Sequence, residues 1–158
     1  MSDFANEEKI KTAAEAKFPG AVSNAVVQRR NRVWLSCAPE KLTELLAWLK
    51  AEGFAYLSTV TGFDEGENLG ALYHLNNSAL ILTVKVVTPR ANPALPSVLA
   101  LYPGAVSYER ELEDMFGIKV QGLPPGRRYP LPDDFPTDQY PLRKDWKFVP
   151  PAAELEAK

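Results

Sequence analysis

The segment YERELEDMFGIKV, residues 108–120, holds four carboxylates and one arginine in its first seven positions. Glu109 and Glu111 flank Arg110, and paired carboxylates can act as general acid and general base. Residues two apart on a helix point to different sides, so these two glutamates are poorly placed to bracket one bond as glycosidase carboxylates do. The segment therefore fits a carboxylate-based enzyme, a charged helix that contacts another protein, or a solvated face with internal ion pairs.

Two further charged segments follow towards the C-terminus. Arg127 and Arg128 come after Gly126, and two loop arginines are either a phosphate-binding spot or simply exposed. The run PLRKDW, residues 141–146, places three charged side chains between a leucine and a tryptophan. Because arginine forms bidentate pairs with carboxylates, both segments also suit a protein interface.

Composition and missing motifs exclude several classes of protein. Signatures of phosphate-binding loops, dinucleotide-binding folds, zinc proteases and serine hydrolases are absent from the sequence. One cysteine and one histidine cannot form a structural zinc site, hold an iron–sulfur cluster or close an internal disulfide. The net charge is −2, so the chain lacks the overall positive charge that is typical of nucleic-acid-binding proteins. No apolar run approaches the ~20 residues of a membrane span, and the acidic N-terminus does not resemble a signal peptide, so we expect a cytoplasmic location.

Hydrophobic periodicity and turn residues predict an α+β domain with a mixed or antiparallel sheet covered by helices. The clearest element is the helix 39–53, because Pro39 suits its first turn, Gly53 suits its end and four leucines recur on one face. Further helices are predicted at residues 7–18, 97–102 and 105–116, and strands at residues 22–28, 32–37, 54–63, 70–75 and 79–88.

The predicted helix 105–116 determines how the carboxylates are arranged. Four side chains are expected to share the arc that packs on the sheet, with Phe116 at its edge: Ala105, Tyr108, Leu112 and Met115. Glu109 and Glu111 then lie on opposite flanks of this arc. Arg110 and Asp114, four positions apart, face away from it together and are expected to pair.

The composition changes after Gly122. Residues 123–151 contain eight of the fourteen prolines and no helix or strand pattern. A solvated linker would usually lack aromatic residues, whereas this part of the chain has five: Tyr129, Phe135, Tyr140, Trp146 and Phe148. We therefore predict a core domain over residues 1–122 and an extended, proline-rich C-terminal arm over residues 123–158 that lies on a surface of this chain or of a partner.

The three charged segments together resemble the 30 kDa subunit family of respiratory complex I. This family includes the corresponding subunit of bacterial NADH-quinone oxidoreductase and the related subunit of membrane-bound, energy-converting NiFe hydrogenases. The matching positions are Glu109, Arg110, Glu111, Asp114 to Ile118, Arg127, Arg128 and Pro141 to Asp145. The sequence departs from the family pattern at Leu123, where the family usually has histidine, and at Ser107, where an aromatic residue is frequent. The ending YPLRKDW resembles the hydrogenase branch more than the complex I branch.

The resemblance implies a non-catalytic subunit in the peripheral arm of a membrane oxidoreductase, on the cytoplasmic side of the cell membrane. Its expected partners are the large subunit, of the 49 kDa or hydrogenase type, and the iron–sulfur small subunit. The resemblance implies that this chain binds no cofactor, whereas the partner subunits carry iron–sulfur clusters and, in the hydrogenase branch, a NiFe centre. Quinone reduction and hydrogen chemistry both stay open.

The four charged residues of the helix that match the family are expected to hold a subunit interface or the fold of the arm. The resemblance also implies which side chains meet the partner subunits. These interface residues are Glu109, Arg110, Glu111, Asp114, Arg127, Arg128, Arg143, Lys144, Asp145 and Trp146. No catalytic, metal-binding or cofactor-binding residue is expected in this chain. Two alternatives remain at this point: a stand-alone enzyme that uses Glu109 and Glu111, and an unrelated adaptor protein.

Overall fold

A computed structural model describes residues 4–148. The helices and strands follow the predicted order, except that two short strands are added and the helix predicted at residues 97–102 is absent from the described residues. The helices are α1 (Ala5–Lys17), α2 (Leu42–Ala51) and α3 (Val106–Phe116), and the 3-10 turns Pro39–Lys41 and Pro103–Ala105 lead into α2 and α3. The strands are β1 (Val22–Arg29), β2 (Arg32–Cys37), β3 (Tyr56–Asp64), β4 (Asn68–Asn76), β5 (Ile81–Pro89), β6 (Ala94–Pro96) and β7 (Lys119–Gln121).

The main sheet has five strands in the order β1-β2-β5-β4-β3. The pair β2–β5 is parallel and the other three pairs are antiparallel, so the predicted α+β class with a mixed sheet is confirmed. Leu35, Val84 and Tyr73 lie side by side on neighbouring strands and are at most 1% exposed. All three belong to the hydrophobic core.

The four leucines of α2 pack into the same core. Leu42, Leu45, Leu46 and Leu49 are 0% exposed, as their helical spacing predicts. Burying each leucine contributes ~1.5–3 kcal/mol relative to exposure. The alternation of buried and half-buried residues along β2 gives the sheet its matching apolar side.

Strands β6 and β7 were not predicted, and the helix predicted at residues 97–102 was wrong. The two strands form a parallel pair of three residues each, which is too short to give a periodic pattern. The N–H of Ser97 donates to the Gln121 carbonyl at 2.8 Å, and the N–H of Val98 donates to the Glu109 carboxylate at 2.6 Å. After these two bonds the chain makes a single turn, in which the N–H groups of Leu101 and Tyr102 both donate to the Val98 carbonyl at 2.9 Å, and no helix follows from it.

Helix α3 packs on β3 with a different arc from the predicted one. The buried side chains of the helix and its preceding turn are Ala105, Glu109, Leu112 and Phe116, whereas Tyr108 and Met115 are half-buried. Gly62 on β3 explains the rotation, because a Cβ at this glycine would overlap the ring of Phe116 and crowd Leu112. The missing side chain lets the helix approach the strand closely and brings Glu109 inward.

The C-terminal arm has no helix or strand over residues 123–148 and folds back on the core through turns. Its last predicted residues, 149–158, lie outside the described part of the chain. Contacts with the end of α3 and with the β3–β4 connection hold the arm in place. The surface on which the described part of the arm lies is therefore one of this chain's own.

Candidate subunit interface

Glu109 is a buried carboxylate with two local donors. The N–H of Val98 donates to it at 2.6 Å and the hydroxyl of Ser97 donates at 2.7 Å. Burial raises the pKa of the Glu109 carboxyl, the two hydrogen bonds partly oppose this effect, and the negative charge of Glu113 adds to it. The prediction that Glu109 flanks the packed arc was wrong, because this side chain lies within the arc.

Glu113, one turn further along α3, acts in a similar way on the other short strand. Its Oε1 accepts a hydrogen bond of 3.2 Å from the N–H of Val120 in β7. Glu109 and Glu113 therefore attach α3 to both sides of the β6–β7 pair. Two of the four acids in residues 108–120 therefore bind backbone N–H groups of this chain, which is a structural role rather than acid–base catalysis.

Asp114 and Arg128 join the helix to the arm. Nε of Arg128 lies 3.2 Å from Oδ1 of Asp114, and a second nitrogen of the same guanidinium donates to the Phe135 carbonyl at 2.6 Å. The guanidinium also lies over the Phe135 ring at 5.8 Å. Oδ2 of Asp114 is buried without a hydrogen-bond partner among the described residues.

The predicted pair between Arg110 and Asp114 was wrong. Arg110 instead donates to the Pro124 carbonyl at 2.9 Å, and its guanidinium occupies the space that a side chain at position 126 would need. Gly126 thus leaves room for Arg110 against the arm. Asp114 pairs with Arg128 of the arm instead. Helical spacing alone could not predict this pair, because Arg128 lies outside the helix.

The end of α3 is capped by the segment 140–143 of the arm. Gly117 has a left-handed φ of +65°, and a Cβ there would lie 2.5–2.7 Å from the ring of Tyr140. The N–H of Leu142 donates to the Met115 carbonyl at 3.1 Å. Nε of Arg143 donates to the Phe116 carbonyl at 2.6 Å, and its guanidinium lies over the Tyr140 ring at 4.3 Å.

A cation near the last carbonyls of a helix also interacts favourably with the helix dipole. Arg143 is therefore a capping residue of α3 in addition to its predicted place in the interface. Its guanidinium has further N–H groups beyond the one that Phe116 accepts.

Asp64, at the end of β3, binds the next part of the arm. Its carboxylate pairs with Arg90 and accepts N–H bonds of 2.8 Å from Lys144 and from Gly66. Burial tends to raise the pKa of Asp64, but the hydrogen bonds and the charge of Arg90 outweigh it and hold the pKa at about 2. Arg90 also contacts Asp145 at 3.1 Å, so one arginine connects the core carboxylate to the arm.

The remaining predicted interface residues make fewer contacts within the chain. Nε1 of Trp146 donates to Gln139 at 3.2 Å, and its ring meets Phe148 edge to face at 6.3 Å. The side chain of Arg127 is 86% exposed beside Asp133, and Lys144 is exposed although its N–H is bonded. Glu111 is half-buried on α3.

Several of the ten predicted interface residues bind this chain itself. Asp114, Arg128, Arg143 and Asp145 hold the arm, and Glu109 holds the β6–β7 pair. Their contact with another subunit stays a prediction. Sequence reasoning missed Asp64 and Arg90, because their partners lie far along the chain and no local spacing indicates them. It included Tyr140 among the aromatic residues of the arm, but not as the residue that packs on Gly117.

Comparison with known protein families matches residues 35–151 to the family described as "Respiratory-chain NADH dehydrogenase, 30 Kd subunit". The chain belongs to this family. The resemblance given by the three charged segments is thereby confirmed, and all three segments lie within the matched range. Relatives in this family are subunits of complex I-like quinone oxidoreductases and of membrane-bound hydrogenases.

Two relatives and one solved structure are similar over most of this chain. The membrane-bound hydrogenase subunit beta of Pyrococcus furiosus is 33% identical over 151 residues, which cover 90% of this chain and 87% of the relative. Formate hydrogenlyase subunit 5 of Escherichia coli is 35% identical over 89% of this chain, but the match covers 26% of that longer protein. A chain in the structure of the membrane-bound sulfane sulfur reductase, an archaeal respiratory membrane complex, superposes with a TM-score of 0.79 at 25% identity, covering 96% of this chain and 90% of that chain.

Membrane spans and metal clusters are both absent from the described part of the chain. Within residues 4–148, no helix has the length and apolar character needed to cross a membrane. The same residues contain no group of three or more histidine, cysteine, aspartate or glutamate side chains placed to share a metal ion.

Proposed function

We propose that this chain is a non-catalytic peripheral-arm subunit of a complex I-like membrane oxidoreductase. Its surface formed by α3 and the C-terminal arm positions the large subunit next to the iron–sulfur small subunit. In this role it fixes the large subunit where electrons leave the iron–sulfur chain, for quinone or for protons, in a reaction coupled to ion translocation. Family membership and the names of the relatives support this proposal.

The observation that carries the proposal is the way in which the three charged segments converge. Arg128 contacts Asp114 and Arg143 contacts Phe116, so the arm and α3 form one continuous surface. A surface whose backbone is held by its own chain can bind a partner without first ordering a loose segment, which lowers the entropic cost of association.

The side chains that this surface presents have the composition of a protein interface. Tyr129, Leu142 and Phe148 are 51%, 48% and 68% exposed, and all three lie on the arm. Aromatic residues and arginine are enriched where protein partners meet. These exposed residues, together with Lys144 and Arg127, are the ones we assign to the large subunit.

The proposed partners carry the redox groups. Iron–sulfur clusters belong to the small subunit in this proposal, and a NiFe centre belongs to the large subunit if the complex is a hydrogenase. The complex places this chain on the cytoplasmic face of the membrane, without a span of its own. The match covers 26% of formate hydrogenlyase subunit 5, so in that protein a similar region is covalently joined to additional polypeptide. This supports a role for the present chain in contact with another protein.

The stand-alone enzyme is the weaker alternative. Glu109 is 0% exposed and its carboxylate is occupied by Val98 and Ser97, so it does not share an open site with Glu111. Activity of the pure chain, lost in Glu109→Gln or Glu111→Gln with folding intact, would support the enzyme instead. The third alternative, an unrelated adaptor, finds no support in the family match.

Affinity purification of the tagged chain from mild-detergent extracts of its own organism tests the proposal, with the partners identified by mass spectrometry. A large subunit with CxxC pairs near both ends would indicate a NiFe hydrogenase. A large subunit without these pairs, together with NADH- or quinone-module subunits, would indicate the complex I branch. Recovery of the chain alone as a monomer would contradict the proposal.

Two variants locate the contact within the same experiment. A chain that ends at Gly122 lacks the arm, and we expect it to fold but to recover no large subunit. Lys144→Glu keeps the N–H that binds Asp64 and changes only an exposed charge, so we expect a folded chain with weaker recovery of the partner. Lys9→Glu on α1 is the matched control, because it makes the same charge change on an exposed lysine outside the arm.

A further inference from the structure

A groove lies between the start of α3 and the first turns of the arm. It has a volume of about 560 Å³ and is lined by Val106, Ser107 and Arg110 on the helix and by residues 127–132 on the arm. Three of its nine lining residues are arginines and none is an aspartate or glutamate. The chain as a whole carries a net charge of −2, so this groove is a local exception.

We propose that this groove binds an acidic segment of the large subunit, through carboxylates that pair with Arg110 and Arg127. The inference rests on the proposed function, since it names the part of the partner that the same surface receives. In this proposal the groove, rather than the whole surface of the arm, determines which partner segment binds.

The two arginines keep donors free for such a segment. Arg127 has an 86% exposed side chain, and its contact with Asp133 at 3.3 Å joins two exposed groups. Exposed ion pairs contribute only ~0–1 kcal/mol, so a carboxylate from the partner can replace Asp133 at little cost. Arg110 uses one nitrogen for the Pro124 carbonyl, and a guanidinium has five N–H donors.

Arg128 has a different part in the groove. Its nitrogens donate to Asp114 and to the Phe135 carbonyl, so it fixes the wall of the groove rather than reaching outward. The wall in turn holds Arg127 next to Arg110, although the two residues are far apart along the chain.

The other lining residues favour a polypeptide over a small anion. Tyr129 is 51% exposed, and Pro130, Leu131 and Pro132 continue the lining beyond it. This apolar strip beside the arginines suits the side chains of an extended segment, while arginine and tyrosine are frequent among residues that dominate binding energy. A phosphate group would use the arginines alone.

Charge reversal tests the groove in the intact complex. Arg127→Glu should lower the recovery of the large subunit about tenfold or more in the affinity purification, as expected for a contact worth at least ~1.4 kcal/mol. Arg30→Glu is the matched control, because Arg30 is an exposed arginine in the β1–β2 turn and the change in net charge is the same. Equal recovery with both variants would overturn the inference, while recovery of the large subunit with the wild-type chain would still support the proposed function.

Chemical cross-linking identifies the occupant. The double variant Arg127→Lys with Asp133→Asn introduces an amine at the groove and removes the nearby carboxylate. A carbodiimide should then form an amide between this amine and an aspartate or glutamate of the large subunit in the purified complex. A cross-link to a different subunit, or an assembled complex without a cross-link from this position, would contradict the assignment.

Discussion

Nε of Arg128 lies 3.2 Å from Oδ1 of Asp114, and this ion pair joins the arm to the last turns of α3. The side chains of Arg128 and Asp114 are 26% and 12% exposed, so the pair is largely shielded from solvent. The two residues come from different parts of the sequence that carries the family resemblance. Their contact shows that these parts stabilise one another within a single chain.

We expect Arg128→Ala to loosen the arm and leave the core folded. The substitution leaves the Asp114 carboxylate without its donor, and an unpaired buried acceptor costs ~1–3 kcal/mol. Endoproteinase Asp-N, which cuts before aspartate, should cleave the arm faster at Asp134 and Asp138 on either side of Phe135, and urea unfolding should report the lost stability. Arg127→Ala is the control, because this exposed side chain should change stability by less than ~0.5 kcal/mol. Identical digestion of both variants would show that the ion pair does not hold the arm.

Gly117→Ala should destabilise the same junction for a different reason. The left-handed φ of +65° is strained for alanine, and the new Cβ would lie 2.5–2.7 Å from the Tyr140 ring. The expected cost is ~1–3 kcal/mol, measured by urea unfolding. Gly104→Ala is the matched control, since a Cβ at that glycine meets no atom within 4 Å. A cost at position 104 equal to that at 117 would contradict this explanation.

The sequence was sufficient to predict the elements whose patterns repeat. The leucines of α2 mark its buried face, and the turns around Asn31 and Asn77 separate strands of the sheet. The change in composition after Gly122 was also visible. These features depend on residues near one another in the chain, so local physical rules are enough to find them.

The remaining features depend on contacts between distant residues. Gly62 determines how α3 rotates, and this rotation buries Glu109 instead of Tyr108. Asp64 meets Lys144 across 80 positions of sequence, and no periodicity relates the two. The charges of α3 were visible as a cluster, but the arm decides which of them form pairs and which stay available to a partner.

The Asp64 contact should make the attachment of the arm sensitive to acid. The pKa of this carboxyl is held at about 2, below its ordinary value of 3.8. A lowered pKa means that the charged form stabilises the fold above the ordinary value, and that this stability is lost as the pH falls through the folded value. We therefore expect wild type to exceed Asp64→Asn in stability at pH 5, with the difference shrinking between about pH 4 and pH 2.

Urea unfolding of both proteins at steps of pH measures this difference. Asp133→Asn is the control, because it removes a carboxylate of the arm whose side chain is 67% exposed and lies beside Arg127. Its difference from wild type should be small across the same range. A constant gap between wild type and Asp64→Asn down to pH 2 would show that this carboxylate does not determine the acid response.

Glu109 gives the opposite dependence on pH, and two substitutions separate its charge from its hydrogen bonds. Glu109→Gln keeps an oxygen for the N–H of Val98 and an amide group for Ser97, so we expect it to fold. Glu109→Ala removes both contacts and leaves a buried backbone donor without a partner, at a cost of ~2–4 kcal/mol. Urea unfolding at neutral pH should rank the glutamine variant far above the alanine variant.

The sign of the pH effect follows from the raised pKa of Glu109. Its protonated form is favoured in the folded chain, so its contribution to stability is complete below the ordinary value near 4.5 and is lost as the pH rises through the folded value. Glutamine has no such titration, and the stability of Glu109→Gln relative to wild type should therefore increase as the pH rises. Glu111→Gln is the control for the loss of one carboxylate from the same helix, at a half-buried position. If Glu109→Gln instead lost stability steadily with rising pH, the charged carboxylate would be the form that the fold requires, and the hydrogen bonds to Val98 and Ser97 would outweigh the effect of burial.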